Sequence, residues 1–111
     1  MELIKKFFRK QKRAFLVDKD NQYYALNIPF ATKVGRSSEC DIKITGDLHV
    51  SRHHALIIFE EEENKFYIKD MGSKHGTFVN GRKLEEGELK ELKDGDHIRL
   101  GKSITFTFKI L

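Results

Sequence analysis

The alternation of apolar and polar residues along this chain predicts short β-strands. At the carboxyl end, Ile104, Phe106, Phe108 and Ile110 alternate with polar or charged residues. A period of two residues places one set of side chains on each face of a strand. Eight further segments are rich in β-branched and aromatic residues and read AFLVDK, QYYALNI, ATKVGR, DIKI, HALIIFEE, KFYIKD, TFVN and HIRLG.

Turn-forming residues separate these segments. They lie in the stretches DKDN, TGD, EEEN, MGSKHG, NG and KDGD. Gly, Asn and Asp supply the backbone conformations that tight turns need. Many short strands joined by frequent turns are typical of an antiparallel β-sandwich or barrel, so the pattern predicts an all-β domain.

The amino-terminal residues follow a different pattern, because apolar residues including Phe7 and Phe8 recur at helical spacing between basic residues. We interpret residues 1–13 as a basic amphipathic arm or helix and residues 14–111 as the β-domain. The apolar stripe is short, which favours packing of Phe7 and Phe8 on the domain itself. Peripheral contact with anionic lipid, or docking on a partner protein, are the alternatives.

Composition narrows the class of protein. The 111 residues suit one domain. The net charge of +4 comes from the amino terminus, since residues 1–14 carry +5 and the remainder carries −1. A nucleic-acid-binding domain usually spreads positive charge over a folded face, so no nucleic-acid partner is expected. The single cysteine, Cys40, precludes an internal disulfide, and the longest apolar run, ALIIF, is too short to span a membrane. We expect a cytoplasmic protein without a cofactor.

Three predicted loops carry groups that suit an anion: VGRSSE, DLHVSRHHA and DMGSKHGTFVNG. The planar guanidinium of Arg36 can bind two phosphate oxygens at once. Ser51 offers a hydroxyl donor, and the backbone N–H of Arg52 can face the same oxygens. Lys74 adds positive charge within a turn bounded by glycine, whose backbone N–H groups can also face an anion.

The order and spacing of these residues resemble the forkhead-associated (FHA) domain over about residues 14–111. The matching motifs are Gly35-Arg36, Ser51-Arg52-x-His54 and Asp70-x-x-Ser73-x-x-Gly76-Thr77-x-x-Asn80-Gly81, followed by DGDHIRLG. The resemblance, closest to small bacterial-type single-domain members, implies an eleven-stranded antiparallel β-sandwich without catalytic activity. It implies an adaptor in Ser/Thr kinase signalling that binds phosphothreonine-containing proteins through loops at one end.

The resemblance also implies individual roles. Arg36, Ser51, Arg52 through its backbone, and Lys74 are expected to bind the phosphate, and His75, His49 and Asn80 to contact the peptide. Structural roles are expected for Gly35, His54, Gly76 and Gly81.

Two histidines in these loops bear on the peptide rather than the phosphate. The family usually has Asn where this chain has His75, and that Asn bonds the ligand's main chain. Histidine can also donate a hydrogen bond but is bulkier and titrates near neutrality, so binding is expected to depend on pH. His49 either favours an acidic ligand residue or is a solvated loop residue.

The origin of the ligand can also be predicted. Some small family members bind a phosphorylated threonine in their own amino-terminal tail. Here the first Thr or Ser is Thr32, so the tail offers no such residue. We therefore expect binding in trans.

Three alternatives compete with this interpretation. Three histidines at positions 49, 53 and 54 suggest a metal site, but they match no familiar zinc spacing. Ser51, His54 and Asp70 name a catalytic triad, although the chain lacks a nucleophile-elbow motif. The third alternative is an FHA-type scaffold that no longer depends on phosphate.

Overall fold

The computed structural model describes residues 13–111, so all but the last residue of the expected arm or helix at residues 1–13 lies outside this range. The described residues form eleven β-strands and no helix. The strands are β1 Ala14–Val17, β2 Tyr23–Ala25, β3 Thr32–Gly35, β4 Ile42–Lys43, β5 Ala55–Glu60, β6 Lys65–Asp70, β7 Thr77–Val79, β8 Arg82–Lys83, β9 Lys90–Leu92, β10 His97–Leu100 and β11 Ile104–Ile110.

The strands form two sheets, which confirms the predicted eleven-stranded β-sandwich. One sheet has the order β2-β1-β11-β10-β7-β8 and the other has the order β4-β3-β5-β6-β9. In the first sheet β1 pairs with β11, and Ala14 lies opposite Ile110. The two ends of the described chain are therefore neighbours in one sheet.

One strand pair departs from the expected antiparallel arrangement. Strand β4 runs parallel to β3, with Val34 opposite Ile42. The chain turns after β3 through a hydrogen bond from the Cys40 N–H to the Ser37 carbonyl, 3.0 Å long. The Asp41 carboxylate then accepts the Lys33 N–H at 2.8 Å, which places β4 beside β3 in the same direction.

Alternating side chains fill the space between the sheets. In β11, Phe106 and Phe108 are buried, whereas the intervening Thr107 is only partly covered. Phe108 packs against Phe66 of the opposite sheet with ring centroids 5.2 Å apart. Burying an aromatic side chain of this size stabilises a fold by about 1.5–3 kcal/mol.

Four connections meet at one end of the sandwich, which we call the loop end. They are residues 36–41, 44–54, 71–76 and 101–103, and hydrogen bonds join them to one another. Among residues 13–111, the structure contains no helix long and apolar enough to cross a membrane. Of the predicted site residues, the loop end contains all but Asn80, Gly81 and Gly35, and Gly35 directly precedes it as the last residue of β3.

Candidate functional site at the loop end

Arg36 directly follows β3, and its backbone and side chain are both anchored to the 44–54 loop. Its N–H donates to the Ser51 carbonyl at 3.1 Å. Its side-chain Nε donates to the Val50 carbonyl. These two bonds fix the direction of the guanidinium, and neither uses its two terminal nitrogens. Because the rest of the side chain is held in place, these terminal nitrogens are already oriented and can bind a planar or tetrahedral anion.

Ser51 is held by a contact from a different loop. Its Oγ accepts the backbone N–H of Lys74 at 3.1 Å. A hydroxyl that accepts one hydrogen bond keeps its own proton for another acceptor. The Ser51 hydroxyl can therefore donate to an anion while it remains attached to the 71–76 loop.

Positive charge at the loop end is unbalanced. Within residues 13–111, no carboxylate lies in ion-pair range of Arg36, Arg52 or Lys74. In the same part of the chain, the Arg52 N–H donates to no intramolecular acceptor. A site with unpaired cations and a free backbone donor is suited to an anion that supplies several oxygens.

His54 connects the two loops that carry Ser51 and Lys74. Its ring is fully buried at 0% exposure. Its Nδ1 accepts the Ser51 N–H at 2.9 Å. We therefore assign the tautomer with the proton on Nε2, which donates to the Gly76 carbonyl at 2.8 Å. Burial lowers the pKa of His54, which keeps the ring neutral and both bonds intact.

Asp70 organises the 71–76 loop, a role that the sequence argument did not assign. One of its oxygens accepts the N–H groups of Gly72 and Ser73, at 3.0 and 2.9 Å. The other accepts the hydroxyls of Ser73 and Thr77, both at 2.6 Å. Burial alone would raise the pKa of Asp70, but these hydrogen bonds lower it below its ordinary value. An Asp followed by Ser at the third position is the sequence signal of such a turn.

Two glycines allow backbone segments at the loop end to approach closely. A Cβ on Gly35 would lie 2.2 Å from the Arg52 carbonyl oxygen. A Cβ on Gly101 would lie 2.5 Å from the carbonyl oxygen of His49. Gly101 also donates its N–H to the Gly76 carbonyl at 2.9 Å. That carbonyl therefore accepts bonds from two loops.

His49 and His75 lie together beside Lys74. Their ring centroids are 5.0 Å apart, with the rings nearly perpendicular. Burial, and then the charges of His49 and the lysines Lys102 and Lys74, lower the pKa of His75. His53, in contrast, faces outward, and its Nε2 lies 3.6 Å from the Glu39 carboxylate.

Asn80 lies away from this group, at the opposite end of β7. Its Oδ1 accepts the His97 N–H at 2.9 Å, and its Nδ2 donates to Asp96 at 3.0 Å. Both polar ends of the amide are therefore used within the domain. Gly81 follows with a positive φ of 84°, which suits its expected place in a turn.

The geometry of the loop end also bears on the two alternative chemistries. His54 accepts a bond from the backbone of Ser51 rather than from its hydroxyl, so Ser51, His54 and Asp70 do not assemble as a triad. Among residues 13–111, no group of three or more His, Cys, Asp or Glu side chains converges as metal ligands would.

Known proteins resemble this chain in sequence and in fold. A family model of the FHA domain matches residues 32–101. Nibrin of Danio rerio is 46% identical over 68 residues, which are 61% of this chain and 8% of Nibrin. The chain spans about a tenth or less of the length of the curated relatives it matches first.

Two solved structures extend the likeness to most of the chain. EmbR of Mycobacterium tuberculosis, in complex with a low affinity phosphopeptide, has a TM-score of 0.79 and 34% identity. That match covers 90% of this chain and 25% of EmbR. The FHA domain of MEK1, in complex with a phosphothreonine peptide of HOP1, has a TM-score of 0.73 and 31% identity, with 87% and 95% coverage. Because the family model matches more than half of its residues, the chain belongs to the FHA domain family.

Proposed function

We propose that this domain binds phosphothreonine-containing segments of other proteins at the loop end. Arg36, the Ser51 hydroxyl and the Arg52 N–H bind the phosphate, and Lys74 adds positive charge. The observation that carries the proposal is that Arg36 and Ser51 are joined through the backbone, while the two terminal guanidinium nitrogens of Arg36 and the hydroxyl proton of Ser51 remain available to a ligand. Phosphopeptide complexes of EmbR and of the MEK1 domain support the ligand class.

The chemistry favours a phosphorylated residue over an unmodified one. A phosphothreonine carries about −1.5 to −2 charges at pH 7 and three acceptor oxygens. The unbalanced cations of the loop end attract that charge, and donors from three different residues can satisfy the oxygens. An unmodified threonine offers one hydroxyl and no charge, so it leaves the cations unpaired.

The wider role that we propose is that of an adaptor downstream of a Ser/Thr protein kinase. Residues 1–31 contain no Thr or Ser, so these residues cannot supply a phosphothreonine ligand to the domain. Binding in trans is therefore part of the proposal. Peptide contacts by His49 and His75 also belong to it, whereas Asn80 is left out because its amide is used within the domain.

Replacing Arg36 tests this function directly. Arg36→Ala should weaken binding of a phosphothreonine peptide by about 2–5 kcal/mol, because the phosphate would lose its bidentate partner. Calorimetry with matched phosphorylated and unphosphorylated peptides measures the difference. Arg13→Ala is the control variant, since Arg13 lies before β1, and β1 pairs with the end of β11 farthest from the loop end.

Equal affinity of the wild-type protein for both peptide forms would overturn the proposal. That outcome would instead indicate a scaffold on which phosphate has no role. Loss of folding in Arg36→Ala is a separate event, which circular dichroism detects.

A further inference from the structure

One outer face of the sandwich carries positive charge on several strands. It belongs to the six-stranded sheet, where residues opposite each other on paired strands point to the same side. Arg99 lies opposite Phe78 and Thr105, and its neighbours Ile98 and Leu100 are buried, so this set points away from the core. We call the surface formed by these outward positions the basic sheet face. Its basic strand residues are Lys83, His97, Arg99 and Lys109.

The cations of the basic sheet face are not balanced by carboxylates. The outward strand positions contain no Asp or Glu. Within residues 13–111, the lysines and the arginine of this face form no ion pair, and neither does Arg13, which directly precedes β1. The outer face of the five-stranded sheet is mixed in charge, because Glu91 lies there opposite Tyr67 and 3.9 Å from Lys65 Nζ. The two outer faces of the sandwich therefore differ in charge.

Partly exposed aromatic rings lie among these cations, on both sides of β11. The guanidinium of Arg99 stacks on the ring of Phe78, with its Cζ 3.8 Å from the ring centroid. The Cζ of Arg13 lies 5.6 Å from the centroid of Phe15. The ring of Phe15 meets that of Tyr23 nearly edge-on, and Tyr23 is 47% exposed. The face therefore offers flat π surfaces next to positive charge.

We propose that the basic sheet face binds single-stranded nucleic acid. Cations attract the phosphates, and unpaired bases stack on aromatic rings and on guanidinium planes. An acidic protein segment would use the cations but not the rings. A lipid surface would favour apolar side chains that protrude into it, whereas Phe78 lies beneath a guanidinium. Single-stranded nucleic acid is the partner that uses both kinds of group.

The size of the face suits several nucleotides. Strand β8 lies four steps from β1 in the sheet order β2-β1-β11-β10-β7-β8. At about 4.8 Å per step, the distance from Lys83 to the start of β1 is about 20 Å across the strands. A stacked nucleic-acid strand rises about 3.4 Å per nucleotide, so about five or six nucleotides span this distance.

The structure changes the expectation drawn from net charge. From the sequence, no nucleic-acid partner is expected, because residues 15–111 carry a net charge of −1. Net charge does not show where charges lie after folding. Strand pairing brings together cations as distant in sequence as Lys83 and Arg13 and leaves carboxylates off the outward positions. A spread of positive charge over a folded face is the feature that a nucleic-acid-binding domain requires.

The test for phosphate binding uses the full chain and a fluorescein-labelled oligodeoxythymidylate of about 12 nucleotides, with fluorescence anisotropy as the readout. The logarithm of the binding constant should fall with the logarithm of the salt concentration with a slope of about −3 or steeper, since four cations face the strand. Lys109→Glu should make this slope shallower by about one or more. Lys33→Glu, the same charge change at an exposed position of the other sheet, should keep the wild-type slope.

A second pair of variants tests base stacking. Tyr23→Leu should weaken oligonucleotide binding by about fivefold or more, because leucine fills space but offers no π surface. Tyr67→Leu, the same change on the outer face of the five-stranded sheet, should bind like the wild type. Unlabelled oligoglutamate of equal charge should compete much less well than unlabelled oligonucleotide, since it has no bases to stack.

Three results would overturn the proposal. The first is no oligonucleotide binding at about 50 mM salt. The second is equal weakening by Lys109→Glu and Lys33→Glu in proteins that circular dichroism shows to be folded, because the nucleic acid would then bind elsewhere on the chain. The third is wild-type binding by Tyr23→Leu together with full competition by oligoglutamate, which would identify the face as a surface for acidic proteins. Phosphothreonine binding at the loop end is independent of all three.

Discussion

At the scale of single residues, His54 holds the 44–54 and 71–76 loops in their observed positions. It is buried, and each ring nitrogen bonds a different loop, at Ser51 and at Gly76. Leaving a buried donor or acceptor without a partner costs about 1–3 kcal/mol. Its role is therefore structural, but it positions the residue that we propose to bind phosphate.

This arrangement predicts a pH-dependent stability. The folded state favours neutral His54, so the unfolded chain binds more protons below its ordinary pKa of about 6.5. Stability from this residue is complete above that pH and decreases as the pH falls toward the lowered pKa of the folded state. His54→Gln should be less stable at about pH 7.5 by about 1–3 kcal/mol and lose less stability on acidification.

Urea unfolding at about pH 7.5 and pH 5.5 measures both effects. His97→Asn provides the comparison, because His97 is exposed and its Nδ1 lies 3.4 Å from the Thr107 hydroxyl at the surface. A His54→Gln protein with the full wild-type loss of stability at low pH would contradict the assignment.

Some residues of the site could be predicted from chemistry and others could not. Arg36 and Ser51 are recognisable because few side chains suit phosphate, and their loops carry family motifs. The bond from Ser51 N–H to His54 depends on how the loop folds back, and no pattern of residue types fixes that direction. The stacking of Arg99 on Phe78, 3.8 Å from the ring centroid, was missed for the same reason.

At the scale of secondary-structure elements, all nine strands predicted from the alternating pattern are present, but the pattern did not locate β8 and β9. Strand β8 has two exposed residues, Arg82 and Lys83, and β9 buries only Leu92. Elements this short and polar have no apolar period to detect. Tertiary pairing creates them, as in the pairing of Phe66 with Leu92.

The close approach of Gly35, at the end of β3, to the Arg52 carbonyl predicts the effect of adding a side chain at this strand end. Gly35→Ala should displace the 49–54 segment, because its Cβ would lie 2.2 Å from the Arg52 carbonyl oxygen, and both stability and phosphopeptide affinity should fall. The control is Gly87→Ala, which has open space but a φ of 80°. That control should cost about 1 kcal/mol of stability and leave affinity unchanged.

Thermal unfolding and peptide titration of both variants separate the two effects. Wild-type affinity in a folded Gly35→Ala protein would show that the approach of β3 to this loop has no influence on the site.

At the scale of the whole molecule, the start of β1 and the end of β11 pair with each other away from the loop end, with Ala14 opposite Ile110. The Leu111 N–H donates to the Arg13 carbonyl at 2.8 Å, so the first and last described residues are hydrogen-bonded neighbours. A domain that starts at residue 14 was proposed from the change in sequence pattern, and the pairing of Ala14 with Ile110 is compatible with it. The basic charge before that point remains outside the described residues.

A shortened chain tests the proposed boundary between the amino-terminal arm, residues 1–13, and the β-domain. A protein that begins at Arg13 should bind the phosphothreonine peptide within about twofold of the full chain's affinity at physiological salt, where charges more than about 8 Å apart are largely screened. Fluorescence anisotropy with a labelled peptide measures the affinity. A loss of about tenfold or more would show that residues 1–12 take part in ligand binding, and that the proposed boundary is wrong.

The shared acceptor at Gly76 has a consequence for how such a domain can change its partners. The bonds that join the loops involve backbone groups and the buried His54, whereas the exposed tips at Leu48, Lys74 and Lys102 take no part in them through their side chains. Substitutions at the tips therefore leave the supporting bonds intact. Exposed positions outside such bonds usually change stability by no more than about 0.5 kcal/mol when substituted, so the loop tips can vary in sequence while the fold beneath them stays the same.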